Sequence, residues 1–138
     1  MPLQRRKRQQ IFCTDCSCRR RTFRADRDCL IAVTGGRCEV RIGEDRAPNW
    51  KAHRLRRGSV LKVGAMQGAV WGYLSISGGV VTPPVLGSRA THLRTGMGGL
   101  DGRTLRAGDH LPLGNCSDGI ARRLVLPFRR YNRPIAVV

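Results

Sequence analysis

The sequence predicts an all-β fold. It contains 17 glycines and seven prolines in 138 residues, which divide the chain into short extended pieces separated by turns. No window of twelve residues carries apolar side chains at helical spacing. Apolar residues make up 41% of the chain, which is enough for one ordinary domain with a buried core.

The predicted strands follow one another from residue 29 onward. "CLIAVTGG" (29–36) and "RCEVRI" (37–42) predict a hairpin around a Gly-Gly turn. "GSVLKVG" (58–64) predicts a short strand bounded by glycines. "AVWGYLSISGG" (69–79) predicts a longer strand, one face of which carries Val70, Gly72, Leu74 and Ile76. "RRLVLPF" (122–128) and "RPIAVV" (133–138) predict two further strands.

The charge is large and unevenly distributed. The formal net charge is +17, and residues 1–22 hold seven basic side chains but one acid, Asp15. This segment has no periodicity, so we expect residues 1–22 to be a disordered basic tail and residues 23–138 to be the domain. The remaining basic side chains form no dense stripe and are nearly all arginine, so nucleic acid is not the expected partner. Without a membrane-spanning run or a secretory signal, we expect a cytoplasmic protein.

Three cysteines lie in the tail, in the stretch "CTDCSC". Cys13, Cys16 and Cys18 have C-x2-C-x-C spacing, but a tetrahedral zinc ion needs a fourth ligand and no second paired motif follows. We therefore expect no metal site. The alternative hypothesis is a basic nucleic-acid-binding protein that uses this Cys-rich N-terminus.

The most informative segment is "GGVVTPPVLGSRATHLRTGMGGLDGRTLRAGDHLPLG" (78–114). Its nine glycines and three prolines exclude a regular strand or helix, and glycine-rich loops let backbone N–H groups approach a ligand. Arginines along the segment offer forked donors to a carboxylate or phosphate. Ser88 lies four residues before His92, a spacing that does not by itself establish a catalytic pair. A set of tight turns between strands explains the same composition.

The motifs "GYLSISGG", "PPVLGSRAT", "GGLDGRTLRAGD" and "RPIAVV" closely resemble those of the biotin-dependent carboxyltransferase-like family. That family includes allophanate hydrolase subunit 2, the C subunit of 5-oxoprolinase and the carboxyltransferase part of urea amidolyase. The resemblance covers residues 23–138 and implies part of a cyclophilin-like β-barrel. It also implies an ATP-linked amide hydrolase or carboxyltransferase subunit that acts on 5-oxoproline, urea or allophanate.

Other expectations follow from the same resemblance. ATP would be shared with a companion subunit, of the type of allophanate hydrolase subunit 1 or the B subunit of 5-oxoprolinase, and carboxybiotin would serve in members of the urea amidolyase type. The residues that we expect to bind substrate are Ser88, Arg89, Thr91 and Arg94. The signature and turn positions are Gly87, Gly99, Gly102, Arg103, Gly108 and Asp109, with the Asp109 carboxylate capping a turn. Family members are longer at both ends, so a truncated, inactive, frameshifted remnant is a further alternative.

Overall fold

The computed structural model describes residues 10–13 and 20–115 of the chain. Within these residues it contains strands and turns but no helix. The strands are β1 (Gln10–Cys13), β2 (Arg21–Arg24), β3 (Cys29–Thr34), β4 (Val40–Ile42), β5 (Asp45–Arg46), β6 (His53–Leu55), β7 (Val60–Val63) and β8 (Gly72–Ile76).

The eight strands form two four-stranded sheets. The first has the order β1-β8-β3-β6 and the second the order β2-β7-β4-β5. Every pair of neighbouring strands is antiparallel. The prediction of an all-β fold is confirmed.

The hydrophobic core is built by both sheets. Along β3 buried and half-buried residues alternate, and Ile31 and Val33 are each 2% exposed. The second sheet contributes Leu61, which is 1% exposed, and Val40. Because these side chains belong to one buried cluster with Leu55 and Leu74, the core lies between the two sheets.

The predicted hairpin between β3 and β4 is wrong. Strand β3 pairs with β6 and β8, whereas β4 pairs with β5 and β7 in the other sheet. Residues 35–39 therefore pass from one sheet to the other. Gly35 has a φ of 107°, and a Cβ on it would overlap the carbonyl oxygen of Trp71. The backbone at Gly35 therefore lies directly against the backbone at Trp71, which leaves no room for a side chain. A two-glycine turn signal does not show which strands pair across it.

The later strand predictions agree with the structure in part. The predicted strand at "GSVLKVG" is confirmed as β7, and "AVWGYLSISGG" contains β8. Gly72 and Leu74, which were predicted to share one face of this strand, are both buried, whereas Val70 precedes the strand and is 74% exposed. The strands predicted at "RRLVLPF" and "RPIAVV" lie outside the described residues.

The predicted disordered tail includes residues that form strands. Strand β1 pairs Ile11 with Leu74 of β8, and β2 already begins at Arg21. The rest of the tail lies outside the described residues, so the domain boundary at residue 22 stays a prediction. Within the described part of the chain, no helix is long and apolar enough to cross a membrane.

Candidate functional site

The glycine-rich segment forms a closed loop after β8. Its two ends meet, since the Val81 N–H donates to the Pro112 carbonyl at 2.7 Å and the Gly114 N–H donates to the Gly79 carbonyl at 3.0 Å. Between these ends, residues 82–111 fold into tight turns rather than strands. The loop therefore has a fixed base and presents its turns at the surface.

The first turn spans Val85–Ser88. These two residues exchange backbone hydrogen bonds of 2.8 and 3.0 Å, and the two residues between them, Leu86 and Gly87, both have positive φ, 49° and 77°. This is a type I′ turn. Ser88 ends it by accepting the Ala90 N–H on its hydroxyl oxygen at 3.1 Å.

Arg89 is hydrogen-bonded to Thr82, at the start of the loop. Its Nε donates to the carbonyl of Thr82 at 2.8 Å, and the Thr82 hydroxyl donates to the carbonyl of Arg89 at 3.4 Å. Thr82 is only 3% exposed and is the buried polar residue of this region. These reciprocal bonds satisfy polar groups that burial would otherwise leave unpaired, so they hold the segment before the turn in place.

The second turn joins His92 to Met97. The His92 N–H donates to the Met97 carbonyl at 2.8 Å, and the His92 ring Nδ1 lies 2.8 Å from the Thr95 hydroxyl. The hydroxyl bonded to this histidine is thus that of Thr95 and not that of Ser88. Arg94 is exposed in the turn, with no hydrogen-bond or ion-pair partner among residues 20–115.

Glycines allow the turns to pack directly on one another. A Cβ on Gly99 would overlap the Thr91 hydroxyl, and a Cβ on Gly102 would overlap the Gly96 carbonyl. Both glycines have positive φ, 57° and 64°. Only glycine fits at such positions, because both the backbone conformation and the space exclude a side chain. Thr91 therefore serves as a packing partner of Gly99.

These turns border an open cleft of about 350 Å³. Most of its lining comes from residues that were not among the expected substrate-binding or signature positions: Thr82, Pro83, Val85, Gly96, Gly98, Leu100, Asp101 and Pro112, beside Gly99 and Gly102. Among the described residues, the N–H groups of Gly98, Gly99 and Leu100 have no hydrogen-bond acceptor. Three successive peptide donors at a cleft can bind the carbonyl oxygen of a ligand.

Asp101 is the charged residue of the cleft lining. Its φ is 55°, an uncommon conformation for a residue with a side chain, and its side chain is 72% exposed. The Arg103 guanidinium lies 3.4 Å from one Asp101 oxygen, but its shorter bonds go to another carboxylate. Asp101 thus keeps acceptor capacity at the cleft. In the sequence, Asp101 lies within the motif "GGLDGRTLRAGD" but is not among the expected site residues.

Arg103 and Asp109 form a two-pronged ion pair behind the cleft. The two guanidinium nitrogens lie 2.8 and 2.9 Å from the two Asp109 oxygens. The Asp109 carboxylate also accepts the Arg106 N–H at 2.6 Å, which closes the turn that contains Gly108 at a φ of 90°. Hydrogen bonds from Arg103 and Arg106 hold the pKa of Asp109 well below its usual range, and the Asp109 carboxylate raises the pKa of Arg103. The turn-capping contact expected of Asp109 is present.

The structure separates the residues proposed from the sequence into two groups. Gly99 and Gly102 line the cleft, whereas Ser88, Arg89, Thr91 and Arg94 are absent from its lining. The first three shape the neighbouring turns through the contacts described above. Gly87, Arg103, Gly108 and Asp109 likewise support turns around the cleft. A direct role of these residues in substrate binding stays a prediction.

Neither Cys29 nor Cys38, the free cysteines of the described part of the chain, belongs to the loop. Cys29 is buried in the core, and Cys38 accepts a hydrogen bond from Asn49 at 3.2 Å. Across residues 10–13 and 20–115, no group of three or more His, Cys, Asp or Glu side chains is placed to hold a metal ion. Cys16 and Cys18 lie outside the described residues, so the expectation about zinc stays a prediction.

Comparison with known protein families identifies one family over nearly the whole chain. The profile of the carboxyltransferase domain, subdomain A and B, matches residues 13–136. The match begins ten residues before the start of the domain predicted from the sequence, and it includes strands β2 to β8 and the whole glycine-rich segment.

Individual relatives agree with this match. The chain is 39% identical to the C subunit of 5-oxoprolinase from Escherichia coli K12 over 95 residues, which are 67% of this chain and 30% of that protein. It is 37% identical to urea amidolyase of Saccharomyces cerevisiae over 59% of this chain and 4% of the relative. The crystal structure of urea amidolyase from K. lactis superposes with a TM-score of 0.64 at 35% identity, covering 67% of this chain and 6% of that one. The chain thus spans about a third or less of the length of each.

Proposed function

The chain belongs to the carboxyltransferase domain family, subdomain A and B, and on that basis we propose that it binds the substrate of an amide-hydrolysing or carboxyl-transferring enzyme. The family resemblance is confirmed by the profile and by relatives that are enzyme subunits. The proposed substrate is a small amide or urea-like molecule such as 5-oxoproline, urea or allophanate. The proposed reaction is ATP-dependent and takes place in the cytoplasm.

The observation that carries this proposal is the cleft with three unengaged peptide donors. A carbonyl oxygen placed at the N–H groups of Gly98, Gly99 and Leu100 would accept hydrogen bonds that strengthen as negative charge develops on it. Asp101 would accept an N–H of the same amide from the cleft wall. A donor set and an acceptor at one cleft match an amide or urea group, which carries a carbonyl and N–H groups together.

ATP does not fit this cleft. The residues that line it include the acidic Asp101 but no Lys or Arg. A triphosphate would meet the Asp101 carboxylate there, and the Arg103 guanidinium, 3.4 Å from Asp101, is already bonded to both Asp109 oxygens. We therefore assign ATP to a companion subunit. This assignment is in line with the names of the bacterial 5-oxoprolinase relatives, each of which is one subunit of an enzyme of several.

A biotin ring does fit the donor and acceptor groups of the cleft. Its ureido group carries one carbonyl and two N–H groups, the same pattern that the glycine N–H groups and Asp101 complement. Carboxybiotin, when bound, would supply an activated carboxyl group. The contribution of this chain is to orient the ring or the amide through backbone donors, which need no reorganisation during the reaction.

Two matched glycine variants test the cleft. Gly96 and Gly43 have nearly equal φ, 63° and 62°, and a Cβ on either meets nothing within 4 Å. Gly96→Ala places a methyl group at the cleft, whereas Gly43→Ala places one on the turn between β4 and β5, so the backbone strain is the same in both. The measurement is the affinity of the 138-residue chain for 5-oxoproline, urea and biotin by ligand-observed NMR.

We expect the chain to bind at least one of these three ligands. Gly96→Ala should weaken that binding about tenfold, because a methyl group at a ligand wall displaces the ligand, and Gly43→Ala should leave the affinity unchanged. Equal affinities of both variants and the parent chain would exclude the cleft as the site. Absence of binding for all three ligands would refute the proposed substrate class.

A further inference from the structure

Leu86 combines two unfavourable features at the tip of the Val85–Ser88 turn. Its φ of 49° lies in the left-handed region, where bulky residues are rare. Its side chain is 93% exposed, the largest exposure among the described large apolar residues. The first central position of a type I′ turn ordinarily carries Asn, Asp or Gly, which adopt this conformation with little strain.

The part of the fold that the structure describes gives no reason for a leucine at this position. An asparagine would support the same turn with less strain and without an apolar group in water. Backbone strain that the fold does not require is characteristic of functional sites. Leu86 is therefore better explained by a contact with another molecule than by the stability of this chain.

Other exposed apolar side chains belong to the same turn as Leu86 or to the turn that follows it. Val85 is 38% exposed, and Leu93 and Met97 of the second turn are each 44% exposed. The two turns are neighbours, since a Cβ on Gly98 would stand 3.9 Å from the Cβ of Val85. We call these four residues, Val85, Leu86, Leu93 and Met97, the apolar knob.

The two turns that carry the knob are basic, and the nearest acidic residue in sequence, Asp101, lines the cleft together with Val85. Residues 77–100 contain two arginines, Arg89 and Arg94, and no acidic residue. A partner surface that complements this region therefore has an apolar pocket for Leu86 and acidic side chains around it. Such a partner differs from a second copy of this chain, because the chain carries 26 basic residues against nine acidic ones.

We propose that the apolar knob is the docking surface for the companion subunit, with Leu86 inserted into an apolar pocket that has an acidic rim. This inference rests on the companion subunit of the proposed function. Val85 belongs both to the knob and to the lining of the cleft, so a subunit docked on the knob lies beside the cleft. Docking would thereby bring the ATP-dependent partner next to the bound amide.

The test compares Leu86→Asn with two controls in the 138-residue chain. Leu86→Met keeps an apolar side chain at the tip, and Val70→Asn removes an apolar side chain that is 74% exposed outside the knob. The probe is the B subunit of 5-oxoprolinase from Escherichia coli, since the C subunit of the same enzyme is 39% identical to this chain. Binding is measured by biolayer interferometry, stability by thermal unfolding, and the oligomeric state by light scattering.

The proposal predicts effects of opposite sign for Leu86→Asn. The variant should bind the probe at least about tenfold more weakly, as expected for an anchor residue of an interface. Its melting temperature should rise by roughly 3–6 °C, because the left-handed strain is relieved. Leu86→Met should retain binding, and Val70→Asn should match the parent chain in binding.

Each contrary result has its own meaning. If the parent chain binds the probe and Leu86→Asn binds it equally well, the apolar knob is not the docking surface, but the proposal of a companion subunit is retained. No binding of the probe by the parent chain would overturn both. If Leu86→Asn melts at a lower temperature than the parent chain, the chain itself covers Leu86. If the parent chain is a dimer and Leu86→Asn is a monomer, a second copy of the chain covers Leu86. Either finding overturns the proposal.

Discussion

The two-sheet body and the glycine-rich loop of this molecule are built on opposite principles. All seven buried apolar side chains among the described residues belong to residues 29–74, and they form one cluster between the sheets. In the loop, residues 77–115, the buried side chain is the polar Thr82, and five large apolar side chains are exposed. The body is thus stabilised by burial, whereas the loop depends on backbone hydrogen bonds, glycine conformations and the ion pairs of Arg103.

This difference explains where a function can reside. A packed core gains stability from the loss of apolar surface to water, and its residues are not available to ligands. The loop leaves peptide donors, a carboxylate and apolar side chains at the surface, which lowers its own stability. It remains folded because its ends are bonded to each other and because the sheets carry the chain that leads into it.

The largest effect is expected from a core substitution. Leu61→Ala removes a side chain that is 1% exposed between the two sheets, and it should lower the free energy of unfolding by about 3–4 kcal/mol. Val70→Ala, at a residue that is 74% exposed, should change it by less than about 0.5 kcal/mol. Urea unfolding followed by circular dichroism measures both. Similar small changes for the two variants would mean that the body is not held by this core.

The next effect tests the packing of the turns. Gly102→Ala and Gly96→Ala start from φ values of 64° and 63°, but a Cβ overlaps the Gly96 carbonyl in the first and meets nothing within 4 Å in the second. We expect the free energy of unfolding to fall by roughly 2–3 kcal/mol for Gly102→Ala and by about 1 kcal/mol for Gly96→Ala. Hydrogen exchange should localise the damage of Gly102→Ala to residues 77–115. Equal losses would contradict the close packing of these turns.

A smaller effect, dependent on pH, is expected from Asp109→Asn. The hydrogen bonds from Arg103 and Arg106 keep the pKa of Asp109 well below its usual range, so the unfolded chain takes up a proton at a higher pH than the folded chain does. The stabilisation is therefore complete above the ordinary aspartate pKa of about 3.9 and decreases as the pH falls below it. The variant should melt several degrees lower at neutral pH, and this gap should narrow on acidification. A gap that stays constant down to a pH of about 2.5 would refute the ion pair as its cause.

The smallest effect is expected from an ion pair of the body. Glu39 accepts a hydrogen bond from the Arg41 Nε at 2.8 Å, which lowers the pKa of Glu39, but its side chain is 49% exposed. Water and salt screen such a pair, so Glu39→Gln should melt at nearly the same temperature as the parent chain in physiological salt. A fall in melting temperature as large as that caused by Asp109→Asn would show that the body, too, depends on ion pairs.

Strands could be predicted from the sequence more readily than their partners. The alternation in "CLIAVT" identifies β3 because burial of every second side chain is a local property. Its pairing with β6 and β8 depends on contacts such as Ile31 with His53 and Ile76, which no short pattern encodes. The Gly-Gly signal consequently predicted a hairpin where the chain crosses between the sheets.

The site was predictable as a segment but not as a surface. The density of glycine singled out residues 78–114, and Arg103 and Asp109 were already singled out within them. The lining of the cleft depends on how successive turns stack. This stacking places Thr82, Gly98 and Asp101 in the lining instead of the expected Ser88 and Arg94. The left-handed conformation of Leu86 has no signal in the sequence, because leucine is not a turn residue.

The loop, and not the body, is proposed to bind the ligand through its peptide groups. The most direct test is a titration of the 15N-labelled chain with 5-oxoproline, urea and biotin, in which each amide resonance reports its own environment. One of these ligands should shift the resonances of Gly98, Gly99 and Leu100 while those of Ile31 and Leu61 stay in place. Shifts confined to the two sheets, or no shift in the loop with any of the three ligands, would contradict this proposal.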